Sequence, residues 1–193
     1  PDLIERDPDN ETFSPQNHRR LTAEEIRDSI LFLSGELDAD PGTATATPIG
    51  VDLDKPFDFA KEKKRTIYLP VARNNPATEL AVFDGANPDF VSGARSQTTV
   101  PTQALYLLNS DFIYEQAALI AKAAQQSAPS LRGRIDSLYL TLLGRSPDPV
   151  ELEEAIALLL SLGESEESED ALVIALGHLA HILLVSTEFL YLN

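Results

Sequence analysis

The stretch Ser130–Gly163, SLRGRIDSLYLTLLGRSPDPVELEEAIALLLSLG, decides the fold of this chain. Ser130 is typical of a helix N-cap, and apolar residues then recur at i, i+4, i+7, i+8, i+11 and i+12. Gly144 is expected where a helix ends in the left-handed conformation. Asp148 and Glu151, with a proline between them, are typical of the first turn of another helix, which ends near Gly163. The stretch therefore predicts two helices joined by a short turn.

Similar patterns predict helices on both sides of this stretch. Thr22 and Glu25 form a capping-box pattern ahead of a stripe at helical spacing, made by Ile26, Ile30, Leu33 and Leu37. Pro101 suits a first helical position, and Asn109-Ser110-Asp111 separates its helix from the next. That next helix is lined by Phe112, Ile113, Gln116, Leu119, Ile120 and Ala123. A last helix, about 169–185, is apolar on nearly all sides, so we expect it to be central.

The remainder of the chain is less regular. Residues 1–20 are predicted to be a connector from an upstream domain, and 21–193 a single helical domain. Within that domain, 38–100 form an irregular, loop-rich cap and 101–193 a helical bundle. Thr66–Val71 is the best strand candidate, because it is β-branched and aromatic and Pro70 suits a strand end. The predicted class is mainly α: a helical bundle or orthogonal helix array, with a small irregular region and at most one or two short strands.

The composition narrows the functional classes. With 15 Lys plus Arg against 31 Asp plus Glu, the net charge is −16. Such a surface repels phosphate backbones and anionic membranes, so we expect no nucleic-acid partner. No apolar run reaches the roughly 18–20 residues of a membrane-spanning helix, so we expect no membrane insertion. Cysteine is absent, which excludes disulfides, thiolate metal sites and c-type haem attachment within these residues. Methionine is absent too, even at position 1, and we interpret the chain as a piece of a longer protein.

Three groups of motifs together resemble a known family. They are Asn17–Asp28; then Ile67–Asn75 with Phe83-Asp84 and Thr98–Leu105; then Leu142–Pro147 with Glu188–Tyr191. The set resembles the planctomycete-specific domain-of-unknown-function family 1553. That resemblance implies the C-terminal domain of a large exported, periplasmic, cytochrome-c-associated protein. A haem c would then lie in an upstream domain, and the resemblance implies no catalytic residues.

The densest group of polar side chains is the main candidate site. Guanidinium, amide and hydroxyl groups of this kind orient sugars, carboxylates or the backbone of another domain. The alternative is that they satisfy backbone groups in an irregular region. The candidate ligand- or domain-docking residues are Arg73, Asn74, Asn75, Asp84, Arg95, Thr99 and Gln103.

Three weaker candidates have ordinary structural explanations. Asp84–Asp89 offers oxygen ligands for calcium, but turn chemistry accounts for it equally well. His178 and His181 lie three residues apart on one predicted helix face, as metal ligands do, yet core histidines are commoner. The acidic run Glu164–Asp170 suits either a helix start or docking to a basic partner. We therefore expect no metal or catalytic site in this chain.

The function favoured by the residues is a non-catalytic structural or interaction domain, which docks on sibling domains or on a protein partner through the Arg73–Gln103 region. Two alternatives stay open. One is a ligand-binding module for a carbohydrate or calcium, which requires a deep polar pocket. The other is part of an enzyme, of oxidoreductase or carbohydrate-degrading type, whose site forms only with the upstream domain.

Overall fold

A computed structural model describes residues 19–41, 61–69, 77–87, 89, 91, 93–163 and 169–192. Within these residues the chain is mainly helical, and the predicted fold class is confirmed. The helices are α1 Ala23–Leu33, α2 Thr78–Val82, α3 Pro101–Asn109, α4 Asp111–Ser127, α5 Leu131–Leu143, α6 Pro149–Gly163, α7 Glu169–Leu184 and α8 Thr187–Leu190. The other elements are a 3₁₀ turn, Thr66–Tyr68, and the strands β1 Arg19–Arg20 and β2 Tyr191–Leu192.

The local signals in the sequence set the helix ends. At α1, the Thr22 hydroxyl accepts from the Glu25 amide and the Glu25 carboxylate accepts from the Thr22 amide, which confirms the capping box. Gly144 ends α5 with a φ of 71°, in the left-handed region that favours glycine. Asp148 Oδ1 accepts from the first amides of α6, and Glu151 accepts from the Asp148 amide. These reciprocal caps confirm the predicted turn between α5 and α6.

The core lies around α7, as expected. This helix packs most extensively on α4 and also contacts α5, α6 and α8, while α1 and α3 pack on α4. The fully buried side chains of the core include Ile113, Ile120, Ile135, Leu138, Leu176 and Leu184. One face of α7 is open, however, because Ile174, His178 and Ile182 are exposed at i, i+4 and i+8.

Two sequence predictions about local packing were wrong. Thr66–Tyr68 forms a 3₁₀ turn rather than a strand, because both the amide and the hydroxyl of Thr66 donate to Asp28 of α1. Those bonds bury Thr66 against α1, and residues 66–68 therefore do not adopt the extended conformation of a strand. Pro70 and Val71 lie outside the described residues. On α4, Ala123 is exposed and Ala124 is buried in its place, so the core face is rotated slightly from the expected one.

The two ends of the described chain meet in a small sheet. β1 and β2 pair antiparallel, with Arg19 opposite Leu192 and Arg20 opposite Tyr191. The Leu21 amide also donates to the Leu190 carbonyl at 2.8 Å. This pairing fixes Arg20 at the start of α1, next to the region of the predicted polar site. Among the described helices, none combines the length and apolar composition needed to cross a lipid bilayer.

Candidate functional site

Two of the predicted site residues, Asp84 and Gln103, meet around a buried arginine that the sequence did not single out. Arg20 is 8% exposed, and its Nη2 donates to Asp84 Oδ2 at 2.6 Å. Its Nη1 donates to Gln103 Oε1 at 3.2 Å and to the Thr98 carbonyl. We call these four residues the Arg20 cluster. It joins β1, the end of α2, the segment before α3 and α3 itself.

Asp84 occupies a strained but suitable position in this cluster. Its φ is 60°, a left-handed conformation that aspartate tolerates better than most residues. Burial raises the pKa of Asp84, but hydrogen bonds from Thr98 and Arg20 outweigh that effect and hold it below the usual value. The Thr98 amide and hydroxyl each donate to the carboxylate at 2.8 Å. Asp84 is therefore an ionised anchor for the segment that precedes α3.

Gln103 connects three neighbours at the first turn of α3. Its Nε2 donates to the Val82 carbonyl at 3.0 Å, while its Oε1 accepts from the Val100 amide and from Arg20. The side chain is buried. Asp84 and Gln103 thus satisfy backbone groups of their own region, which is the alternative interpretation of the polar block.

The remaining candidate residues differ from this pair. Arg95 and Thr99 are exposed, and Arg95 Nη1 donates to Glu24 Oε2 of α1 at 2.7 Å. Arg73, Asn74 and Asn75 lie outside the described residues. The structure therefore brings together two of the seven predicted site residues, Asp84 and Gln103, and leaves Arg95 and Thr99 on the protein surface.

That surface continues onto an apolar face of α3. Pro101, Ala104, Leu105 and Leu108 recur at i, i+3, i+4 and i+7, the spacing of one helical face, and all four are exposed. Leu105 is 57% exposed and Leu108 48%. We call residues 95–100 together with this face of α3 the 95–108 surface. An amphipathic helix that directs its apolar face outwards has that face available to a partner.

His178 and His181 do not form a metal site. His181 is buried, its Nε2 lies 2.9 Å from the Leu107 carbonyl, and its ring centroid is 4.1 Å from that of Tyr114. His178 is exposed, so the prediction that both share one face of the core was wrong. The three-residue spacing turns the two side chains by about 60°. No group of three or more potential metal ligands occurs in the described residues.

The two ligand-binding alternatives gain no support from the described residues. In the calcium candidate, the Asp84 oxygens are bound by Thr98 and Arg20, and Asn87 Oδ1 accepts from the Asp89 amide in an Asx turn. A cavity of about 20 Å³ lies among α1, α2, α3 and α4, with mainly apolar walls. Its volume suits a single water molecule rather than a sugar, and neither Arg95 nor Gln103 lines it.

A second arginine cluster, the Arg145 clasp, joins the turn between α5 and α6 to the short helix α8. Arg145 follows the left-handed Gly144 and pairs with Glu151 of α6 and Glu188 of α8, through four contacts of 2.6–2.7 Å. Arg145 lowers the pKa of Glu151 to about 2 and also holds the pKa of Glu188 below its usual value. This Arg145 clasp explains why two distant motifs, Leu142–Pro147 and Glu188–Tyr191, belong together. It has a structural role.

These features define a mainly helical domain in which two arginine clusters hold non-helical segments and the C-terminal helix, and one amphipathic helix directs an apolar face outwards. A family model described as PSD1, protein of unknown function (DUF1553), matches residues 1–159. The chain belongs to this family, which confirms the resemblance. Neither a curated protein nor a solved structure matches this chain.

Proposed function

We propose that this chain is a non-catalytic docking domain that binds another protein domain through the 95–108 surface. The observation that carries the proposal is the outward apolar face of α3, which adjoins the exposed polar segment 95–100. An apolar centre beside a polar rim is the usual composition of a protein interface. The Arg20 cluster supports this surface from beneath, because it anchors Thr98 and Gln103 to the bundle.

Membership of the family supports the wider setting of the proposal. We propose that the chain is the C-terminal part of a larger exported, periplasmic, cytochrome-c-associated protein, with haem c in an upstream domain. The first partner to test is then that upstream part of the same polypeptide. The net charge of −16 disfavours nucleic acid and favours a partner that carries basic groups.

The binding contribution of the apolar face follows from its exposed area. Full burial of a leucine contributes about 1.5–3 kcal/mol, and roughly half of each side chain is still open, so Leu105 and Leu108 together offer about 2 kcal/mol. Replacing both with glutamate removes this term and adds charge at the centre of the contact. We expect a loss of affinity of at least about 30-fold.

The test measures affinity between this chain and the separately expressed remainder of its native polypeptide. Because the chain has no cysteine, one cysteine introduced on α6 carries a fluorescent label at a known position. The Leu105→Glu/Leu108→Glu variant should lose binding, while Leu160→Glu, at a 58% exposed leucine of α6, should bind normally. Equal affinities for both variants, or no binding by the native chain, would overturn the proposal.

A further inference from the structure

Residues 95–100 form an exposed segment that belongs to no helix or sheet. They run without turn or bend between a bend at residues 93–94 and the start of α3, and all are exposed. Val100 has φ −126° and ψ 149°, the extended conformation. In an extended chain, the N–H and C=O of one residue point to the same edge, and those of the next residue point to the opposite edge.

The inner edge of this segment is bound at Thr98 and Val100. The Thr98 amide donates to Asp84, and the Thr98 carbonyl accepts from Arg20. Two residues on, the Val100 amide donates to Gln103 Oε1 and the Val100 carbonyl accepts from the Gln103 amide. Thr98 and Val100, which lie two residues apart, therefore form their backbone hydrogen bonds on the same side of the segment. Alternate residues of a strand do the same when the strand pairs along one edge.

The outer edge belongs to Gln97 and Thr99. Within the part of the chain that the structure describes, the backbone groups of these two residues make no hydrogen bond, and both residues are exposed. Two donors and two acceptors thus face outwards at strand spacing on a segment that is already held in place. An edge of this kind is a template for a further strand.

We infer that this outer edge binds an extended, basic peptide segment of a partner protein by strand addition, an inference that rests on the proposed docking role. Only an extended backbone offers donors and acceptors at the matching spacing, and the exposed Leu105 and Leu108 follow this segment on α3. The net charge of the chain, −16, favours a basic strand as the partner. A second copy of this chain carries the same charge and is repelled.

The probe is the acetylated, amidated peptide Lys-Thr-Val-Thr-Val-Lys, and its control is the same peptide with alternate backbone nitrogens methylated on the pairing edge. Amide hydrogen exchange of the chain is followed by NMR during titration. At five times its dissociation constant, the probe should slow exchange at Gln97 and Thr99 by about sixfold and leave Thr98 and Val100 unchanged. The methylated peptide should give no protection. Failure of the probe to bind, equal binding of both peptides, or protection elsewhere overturns the inference.

Two proline variants separate backbone pairing from other effects. Thr99→Pro removes an outer-edge N–H and keeps the segment extended, so it should abolish protection at Gln97. Gly93→Pro, outside the segment, removes an N–H that has no hydrogen bond in the described residues and should bind as the native chain does. Circular dichroism checks that both variants are folded. If Thr99→Pro unfolds the chain, the methylated peptide alone decides between the outcomes.

The outcomes also separate this inference from the proposed function. Loss of docking in the Leu105→Glu/Leu108→Glu variant, with normal docking in Thr99→Pro, leaves the docking role and removes strand addition. The converse, peptide protection at Gln97 and Thr99 with unaffected docking in the leucine variant, removes the docking role of α3 and leaves the strand edge. Concentration-dependent pairing of the chain with itself at this edge contradicts the choice of a basic partner.

Discussion

Replacing Arg145 with glutamine should destabilise the bundle in a pH-dependent way. The variant removes both carboxylate pairs, to Glu151 and to Glu188, while a polar side chain remains at the turn. The three side chains are between 29% and 37% exposed, so solvent screens each ion pair. The contribution of each pair to stability then lies near the upper end of the range for surface ion pairs. Two bidentate pairs together give about 1–2 kcal/mol at pH 7.

The sign of the pH dependence follows from Glu151. Its pKa is lowered from 4.5 to about 2 by the Arg145 hydrogen bonds and then by the Asp148 amide. A carboxyl whose pKa is lowered by folding contributes stability above its unfolded pKa and loses it as the pH falls through the folded value. The window is therefore pH 4.5 to 2, and the Arg145→Gln penalty should shrink by about half between pH 7 and pH 3.

Urea unfolding followed by circular dichroism at the two pH values measures this penalty. Arg132→Gln on α5 is the matched control, because Arg132 is exposed and makes no ion pair with a described residue. Its effect should stay within about 0.5 kcal/mol at both pH values. An Arg145→Gln penalty equal to that of the control, or one that does not change with pH, would refute the structural role of the Arg145 clasp.

Three further substitutions test the fold and the Arg20 cluster by thermal or urea unfolding. Gly144→Ala should cost about 1–2 kcal/mol because of its φ of 71°, although no atom lies within 4 Å of the added carbon; an unchanged stability would contradict the left-handed cap. Asparagine at position 84 also tolerates the left-handed conformation, but Asp84→Asn removes the negative charge beside buried Arg20, so it should lower the free energy of unfolding by about 1–3 kcal/mol. An unchanged stability would contradict the anchoring role of Asp84. Leu176→Ala, at a fully buried site on α7, should cost about 2–5 kcal/mol, and a loss below 1 kcal/mol would contradict a central α7.

Local chemistry made the helices predictable. Thr22 with Glu25, Gly144, and Asp148 with its proline each specify a helix end within four residues, so no knowledge of the rest of the chain was needed. The apolar period of α5 likewise fixed its buried face. These elements follow from hydrogen bonding and periodicity at short range, which a single sequence contains.

The polar contacts were not predictable in the same way. Arg20 finds Asp84 and Gln103 at separations of 64 and 83 residues, so nothing near Arg20 in the sequence points to them. Thr66 has strand propensity, but its contact with Asp28, 38 residues away, decides its conformation. His178 and His181 were placed on one face by a spacing rule, whereas packing against Leu107 buries only His181.

Arg95, Thr99 and Gln103 belong to one polar block of the sequence, in which nothing local distinguishes their roles. Gln103 points inwards because it lies at the first turn of α3, beside Val82 and Arg20, while Arg95 and Thr99 precede that helix and stay exposed. The burial of each side chain therefore decides its role, and burial depends on which elements pack against it. The apolar outward face of α3 was missed because a face at i, i+3, i+4 and i+7 predicts burial in most helices.

Hydrogen exchange at residues 95–108 tests the docking claim most directly. Exchange is measured for this chain alone and for the longer native polypeptide that we propose contains it, with α6 as the internal reference. Slower exchange at the amides of Gln97, Thr99 and the α3 surface in the longer polypeptide, with no change in α6, is the result that the docking domain predicts. Identical exchange of the 95–108 surface in both samples would contradict it.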